Sequence, residues 1–368
     1  MKIAFTTTRL VEHDAVSNYT MAVIAELSKN NKVDLYSFCT EREIPKRVEQ
    51  YNYTGKNEHS LLSVLSAITK IHNLAKKLSK YDILVLVGPD ITVLPSIHLA
   101  KRFNPNLKLV WDFHGLTPSQ FLGSNKQKLL TRIRQIAYFW SMKRSDCVKV
   151  DSNYIKKEVE SKIGKKDIEI IPIGINPTRF KNVDGKVIRE KRHLNGKFVI
   201  ICVGRLATSK RIDFLIEAIQ ALDGVALLVV GGGEERDKLN DLVHSLNLED
   251  KIIFVGRVSD EDLPKYYAAS DVFVTASLHE GFCVPIIEAF ASGKPVIVPN
   301  RTAMPEVAGD AGLVYEYESM DDFVSKVKML KNDCDLRKQL SRNAKERSKD
   351  FDLKNSVEKY EDFLKRLK

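Results

Sequence analysis

The chain has 368 residues, enough for two domains of ordinary size. Its 43% hydrophobic and 29% charged residues, with no apolar run near the ~20 residues that span a bilayer, exclude an integral membrane helix protein and a disordered one. The net charge of +10 points to an acidic ligand or surface, and no basic motif interleaved with aromatics points to nucleic acid.

Met1-Lys2-Ile3-Ala4-Phe5 reads as a first strand, too short for the core of a signal peptide, and gives the expectation of a cytoplasmic protein. Strand candidates follow at Lys2–Thr7, 32–38, 83–87, 108–113, 147–151 and 168–171, then at 198–204, 226–230, 252–255, 272–275, 295–298 and 312–315. Continuous apolar strands alternating with amphipathic helical patterns predict an α/β protein with parallel sheets buried on both faces. Two such sets predict two doubly wound units, with ligands at the carboxyl ends of the strands. The turn-rich run Pro172-Ile173-Gly174-Ile175-Asn176-Pro177 separates them, giving expected domains at 1–172 and 173–350, with a charged helix at 351–368. Five cysteines (Cys39, Cys147, Cys202, Cys283 and Cys334) stand apart with no C-x-x-C spacing, which argues against a disulfide framework or a zinc site.

Within the first half, Lys126–Arg144 is basic and amphipathic. Leu129, Leu130, Ile133, Ile136, Ala137 and Trp140 share one helical face, with Lys126, Lys128, Arg132, Arg134, Lys143 and Arg144 lying mainly off it. The expected arrangement is an ordinary helix packed on the sheet through that stripe. The alternative is a helix lying on an anionic membrane surface.

The densest information lies at 277–299, Ser-Leu-His-Glu-Gly-Phe-Cys-Val-Pro-Ile-Ile-Glu-Ala-Phe-Ala-Ser-Gly-Lys-Pro-Val-Ile-Val-Pro. Pro285 suits a helix start and Gly293 its end. Glu280 then falls in the loop before the helix and Glu288 near its first turn, with uncapped N–H groups and the positive dipole end between them. That is a site for a phosphate flanked by acceptors for sugar hydroxyls, the two halves of a sugar nucleotide. Taken alone, Glu288 reads more readily as a complement to the helix dipole and Glu280 as a solvated loop residue.

Upstream, Val203-Gly204-Arg205-Leu206-Ala207-Thr208-Ser209-Lys210-Arg211 follows a strand and opens a helix, so Arg205 and Lys210 can offer a planar fork and a point charge to a diphosphate. Val229-Val230-Gly231-Gly232-Gly233-Glu234 allows close backbone approach after the next strand, and Phe254-Val255-Gly256-Arg257-Val258 ends another. In the first half, Trp111-Asp112-Phe113-His114-Gly115 ends a strand; a lone histidine there could be merely structural.

In kind and order these segments resemble the family-4 retaining glycosyltransferases, in detail over residues 170–316 and more loosely before. The resemblance implies a GT-B fold, two Rossmann-like domains facing a central cleft, with the C-terminal helix crossing back to the first. It implies transfer of a sugar from a UDP-, GDP- or ADP-sugar to an acceptor hydroxyl, with retention and without a metal or other cofactor. By that resemblance Arg205 and Lys210 clamp the departing diphosphate, and Gly281, Phe282, Cys283 and Val284 surround the helix start that faces it. Gly232, Arg257 and Val258 serve the nucleotide, Glu288 the ribose hydroxyls, Glu280 the donor sugar, and His114 the reacting face, with Asp112 a further candidate contact to the acceptor. One departure stands out: Asp14-Ala15 replaces the family's Gly-Gly before Val16-Ser17-Asn18-Tyr19-Thr20, which argues against close approach to the donor phosphate from that side. A GT-B sugar-nucleotide epimerase and a degenerate binding module are the alternatives. Donor base, acceptor and oligomeric state stay open.

Overall fold

A computed structural model describes residues 1–10, 15–40, 43–52, 62–116 and 125–367. The chain divides into two units, Met1–Ile173 with Lys354–Lys368, and Gly174–Leu353. The C-terminal helix, Leu353–Arg366, therefore packs with the first unit.

The first unit carries a parallel sheet of β1 (Lys2–Leu10), β2 (Lys32–Thr40), β3 (Glu49–Asn52), β4 (Ile83–Val87), β5 (Lys108–Phe113), β6 (Cys147–Val150) and β7 (Ile168–Ile170), ordered β3-β2-β1-β4-β5-β6-β7. The second carries β8 (Phe198–Val203), β9 (Val225–Val230), β10 (Ile252–Gly256), β11 (Val272–Val274), β12 (Val296–Pro299) and β13 (Gly312–Tyr315), ordered β10-β9-β8-β11-β12-β13. Every strand pair is parallel, and β4 and β9 are buried along their whole length. Helices cover both faces of such sheets, which is why these strands read as unbroken apolar runs. The strand missing from the expectation is β3, whose Glu-Gln-Tyr-Asn carries no apolar run because it lies at the sheet edge.

Strand order reverses between β1 and β4 in the first sheet, and between β8 and β11 in the second. Loops leaving neighbouring strands at such a point diverge to opposite faces and open a crevice at the carboxyl ends.

The helix Asn125–Arg144 corrects the expected packing. Thr131, Tyr138, Ser141 and Met142 are its buried residues, not the Leu129–Trp140 stripe. The Tyr138 hydroxyl donates to the Pro89 carbonyl (2.6 Å), and Ser141 Oγ accepts from the Trp111 indole N–H (3.2 Å). These polar anchors decide the docked face over the larger apolar one, and Leu129, Leu130, Ile133, Ile136 and Trp140 are left 45–71% exposed. Ala137 is partly buried.

Candidate active site

In the second unit, the loops leaving β8 and β11 meet at the strand-order reversal. The Leu278 amide donates to the Ser209 carbonyl at 2.8 Å, tying the loops together. Lys210 ends a 3-10 turn, Thr208–Lys210, and its ammonium forms an ion pair with Glu280 Oε1. Burial pushes the Lys210 ammonium down, but the Glu280 carboxylate outweighs it and holds the pKa above the ordinary lysine value. Lys210 therefore stays cationic at neutral pH. The backbone of Glu280 is fixed by Thr302 Oγ1, which accepts from its amide at 3.3 Å. Arg205, in the same loop as Lys210, is exposed and has no acidic partner among the described residues. Of the three cations in this loop, Lys210 and Arg211 are thus ion-paired within the protein, with Glu280 and Asp213, while Arg205 makes no such pair among the described residues.

The following helix, Val284–Ala291, places Pro285 at its second position and closes at Gly293, where φ is +66°. Its N-cap residue, Cys283, is left-handed (φ 72°), a conformation that costs a non-glycine residue about 1–3 kcal/mol, and its side chain makes no capping hydrogen bond. Gly281, Phe282, Cys283 and Val284 form this start, with Phe282 and Cys283 buried, so the chain holds a strained turn there without the usual Ser, Thr or Asp cap. An uncapped N-terminus beside Lys210 favours an anion. The Cys283 thiol is no nucleophile: burial and then Glu280 push its pKa well above the ordinary thiol value.

Glu288 lies one turn into this helix. The Tyr267 hydroxyl donates to its Oε2 at 2.9 Å and to the Pro285 carbonyl at 3.2 Å. Burial raises the Glu288 pKa to about 7, against the lowering effect of Tyr267. The sequence reading takes Tyr267 as packing; it is also the hydrogen-bond donor that orients this carboxylate.

The glycine turn after β9 serves a different purpose from the expected one at two of its three positions. A Cβ on Gly231 would lie 1.9 Å from the Gly204 carbonyl oxygen, and one on Gly233 would lie 2.2 Å from that of Leu206. Both glycines let this turn press on the Arg205 loop, which is laced to it by Gly204 N–H to Val230 O and Leu206 N–H to Gly232 O, each 3.0 Å. Gly232 instead faces the Arg257 side chain, 3.3 Å from where its Cβ would be. Arg257 is exposed and Val258 half-buried beside it, after β10.

In the first unit, a cavity of about 510 Å³ opens at the carboxyl ends of β1, β4 and β5, walled by Thr8, Ser17, Asp90, His114, Leu130 and Arg134 among others. His114 is not isolated. Its Nδ1 lies 2.7 Å from Asp151 Oδ2, and its Nε2 lies 3.3 Å from Asp112 Oδ1 with no hydrogen-bond partner among the described residues. Beneath it Lys149, fully buried in β6, sets its ammonium 3.0 Å from Asp112 and 2.6 Å from Asp151. Tyr360 of the C-terminal helix donates to Asp112 Oδ2 at 2.9 Å, and Tyr19 shares a 2.8 Å hydrogen bond with Ser356 of that helix.

Burial pushes the His114 imidazole down, but Asp151 and then Asp112 outweigh it and raise its pKa above the ordinary value. Asp112, His114 and Asp151 are close enough to share a metal ion, yet the Lys149 ammonium already contacts both carboxylates and supplies the cation they need. Lys149, Asp151 and Tyr360 were missed in the sequence. The signal for Lys149 was its place inside the apolar run Cys147-Val148-Lys149-Val150, where a charge requires buried counter-ions. Asp14 lies outside the described residues, and Ala15 begins the helix Ala15–Leu27.

Comparison with known proteins adds the family. A model described as glycosyl transferases group 1 matches residues 184–347, and one described as glycosyltransferase family 4 matches 16–179. Mannosylfructose-phosphate synthase of Agrobacterium fabrum is 40% identical over 149 residues, 36% of this chain and 33% of that protein. A GDP-mannose-dependent phosphatidylinositol monomannoside mannosyltransferase of Mycobacterium tuberculosis is 30% identical over 207 residues, 52% of this chain and 54% of that one. The chain thus matches a third to about half of these relatives' lengths. Among solved structures, Anabaena HepE in complex with UDP superposes with a TM-score of 0.84 at 18% identity, covering all of both chains. The two sheets, each doubly wound and parallel, are those of the GT-B fold, and the chain belongs to family 4 of the glycosyltransferases.

Proposed function

We propose that this protein moves a sugar from a nucleoside-diphosphate sugar to an acceptor hydroxyl, with retention of anomeric configuration and without a metal ion. The observation that carries this reading is the convergence of Lys210, Glu280 and an uncapped helix start at the carboxyl ends of β8 and β11. When the bond from the anomeric carbon to the diphosphate oxygen breaks, its electron pair goes to the diphosphate. Arg205, Lys210 and the helix N-terminus take up that charge, the work a divalent ion does in other transferases. Glu288 accepts from the ribose hydroxyls and Glu280 from the donor sugar. Because Glu280 already pairs with Lys210, it also keeps that ammonium aimed at the site between turnovers. Gly232, Arg257 and Val258 are assigned to the nucleotide's base side.

The first-unit cavity is assigned to the acceptor, with His114 one of the polar groups in its wall. The mycobacterial relative is named for GDP-mannose and HepE was solved with UDP. Both fit a nucleoside diphosphate clamped through its phosphates, and the base here is left to experiment. Glu280→Ala tests the assignment: turnover should fall about a hundredfold while free nucleoside diphosphate still binds, since its sugar contact is absent from that ligand. Unchanged turnover sinks the role. Product formed from the donor with no acceptor present would favour the epimerase.

A further inference from the structure

We propose that the solvent face of the helix Asn125–Arg144 is a docking face for an anionic lipid surface. Nine large apolar side chains are exposed among the described residues, and five of them stand on this one helix, which makes a patch rather than scatter. Leu129, Ile133, Ile136 and Trp140 recur at helical spacing and form a stripe on the side away from the buried Thr131, Tyr138 and Met142. At 3.6 residues per turn, Lys126 and Arg144 fall about 45° to one side of that stripe, and Arg132 and Lys143 roughly 55–75° to the other. The helix holds six cations and no acid. Arg144 covers the Trp140 ring at 4.1 Å while donating to the Trp140 carbonyl, which holds the indole at the edge of the stripe.

An apolar stripe bordered on both sides by cations matches a bilayer with anionic headgroups. The apolar side chains enter the acyl boundary while the lysines and arginines reach the phosphates. Protein partners select against this pattern, because lysine is depleted at their interfaces and charge at the interface core. The same helix contributes Leu130 and Arg134 to the first-unit cavity. Docking therefore brings the candidate acceptor cavity beside the headgroups, a consequence that rests on the transferase reading, whereas docking itself does not.

The test is co-sedimentation of the full chain with unilamellar vesicles, without nucleotide. Binding to vesicles of mixed phosphatidylglycerol and phosphatidylcholine should exceed binding to phosphatidylcholine alone by at least about tenfold, and fall as salt shortens the Debye length from about 10 Å toward 3 Å. Ile133→Glu with Ile136→Glu should reduce it about tenfold or more while leaving the circular-dichroism melt unchanged, because both residues are exposed. Failure to bind anionic vesicles, or equal binding by the double variant, overturns the proposal. So does a solution dimer that this double variant splits, which would make the face a protein interface. Vesicle binding without nucleoside-diphosphate binding would keep this face and lose the transferase reading, and the converse result would do the reverse.

Discussion

Glu288→Gln should stabilise the protein at high pH and weaken its ligand at the same time. The carboxyl titrates at about 7 because burial disfavours its charge, against 4.5 for the unfolded chain. Between those values the folded protein holds a proton that the unfolded chain has released, so stability falls as pH rises through that window. At about 1.4 kcal/mol per pH decade, the loss is complete above pH 7 and amounts to about 3 kcal/mol. Glutamine cannot ionise, yet its side-chain oxygen still accepts from Tyr267. Thermal melts at pH 4 and pH 8 isolate the effect. At pH 4 the carboxyl is largely protonated in both the folded and the unfolded chain, and the two proteins should melt nearly together. At pH 8 the variant should melt higher by roughly 6 °C or more, at 2–4 °C per kcal/mol for a unit of this size. Nucleoside diphosphate should bind the variant roughly 10- to 100-fold more weakly, the worth of a charged acceptor on a ribose hydroxyl. An equal melting difference at both pH values would refute the burial argument, and undiminished nucleotide affinity would refute the ribose assignment.

Lys149→Met should destabilise the first unit by about 3–5 kcal/mol, since it leaves Asp112 and Asp151 buried together without their cation; a urea midpoint measures it. His114→Asn should cost most at low pH. The raised imidazole pKa gives stability that is full below about 6.5 and lost as pH rises through the folded value, so the wild-type and variant midpoints should converge in alkali. Tyr360→Phe removes a donor from Asp112 and should destabilise by about 1–3 kcal/mol, with the His114 titration followed by NMR moving in the same sample. A fixed titration there would mean that the C-terminal helix does not tune this histidine.

The parallel sheets were legible because strands buried on both faces leave unbroken apolar runs, as in Val225–Val230. The acidic pair and the basic loop were legible because each sits at a fixed offset from a strand end. What the sequence hid was decided by contacts distant along the chain. Lys149 and Asp112 meet across neighbouring strands, and Tyr360 reaches Asp112 from 248 residues away. No local pattern marks such a partner. The helix Asn125–Arg144 shows the opposite failure, because its strongest apolar stripe was read as the packed face. Hydrogen bonds from Tyr138 and Trp111 instead fix the other side inward, and periodicity alone does not weigh those. The glycine turn was placed correctly but explained incompletely, since Gly231 and Gly233 accommodate the backbone of a neighbouring loop.

The most direct test of the central claim is calorimetric titration with UDP, GDP and ADP in EDTA, for the wild type and for Lys210→Ala. A clamp made of Arg205, Lys210 and the helix start predicts tight binding of one nucleotide without metal, weakened at least about tenfold in the variant. Folded protein that binds none of the three, or binds only once Mg²⁺ is restored, would contradict it.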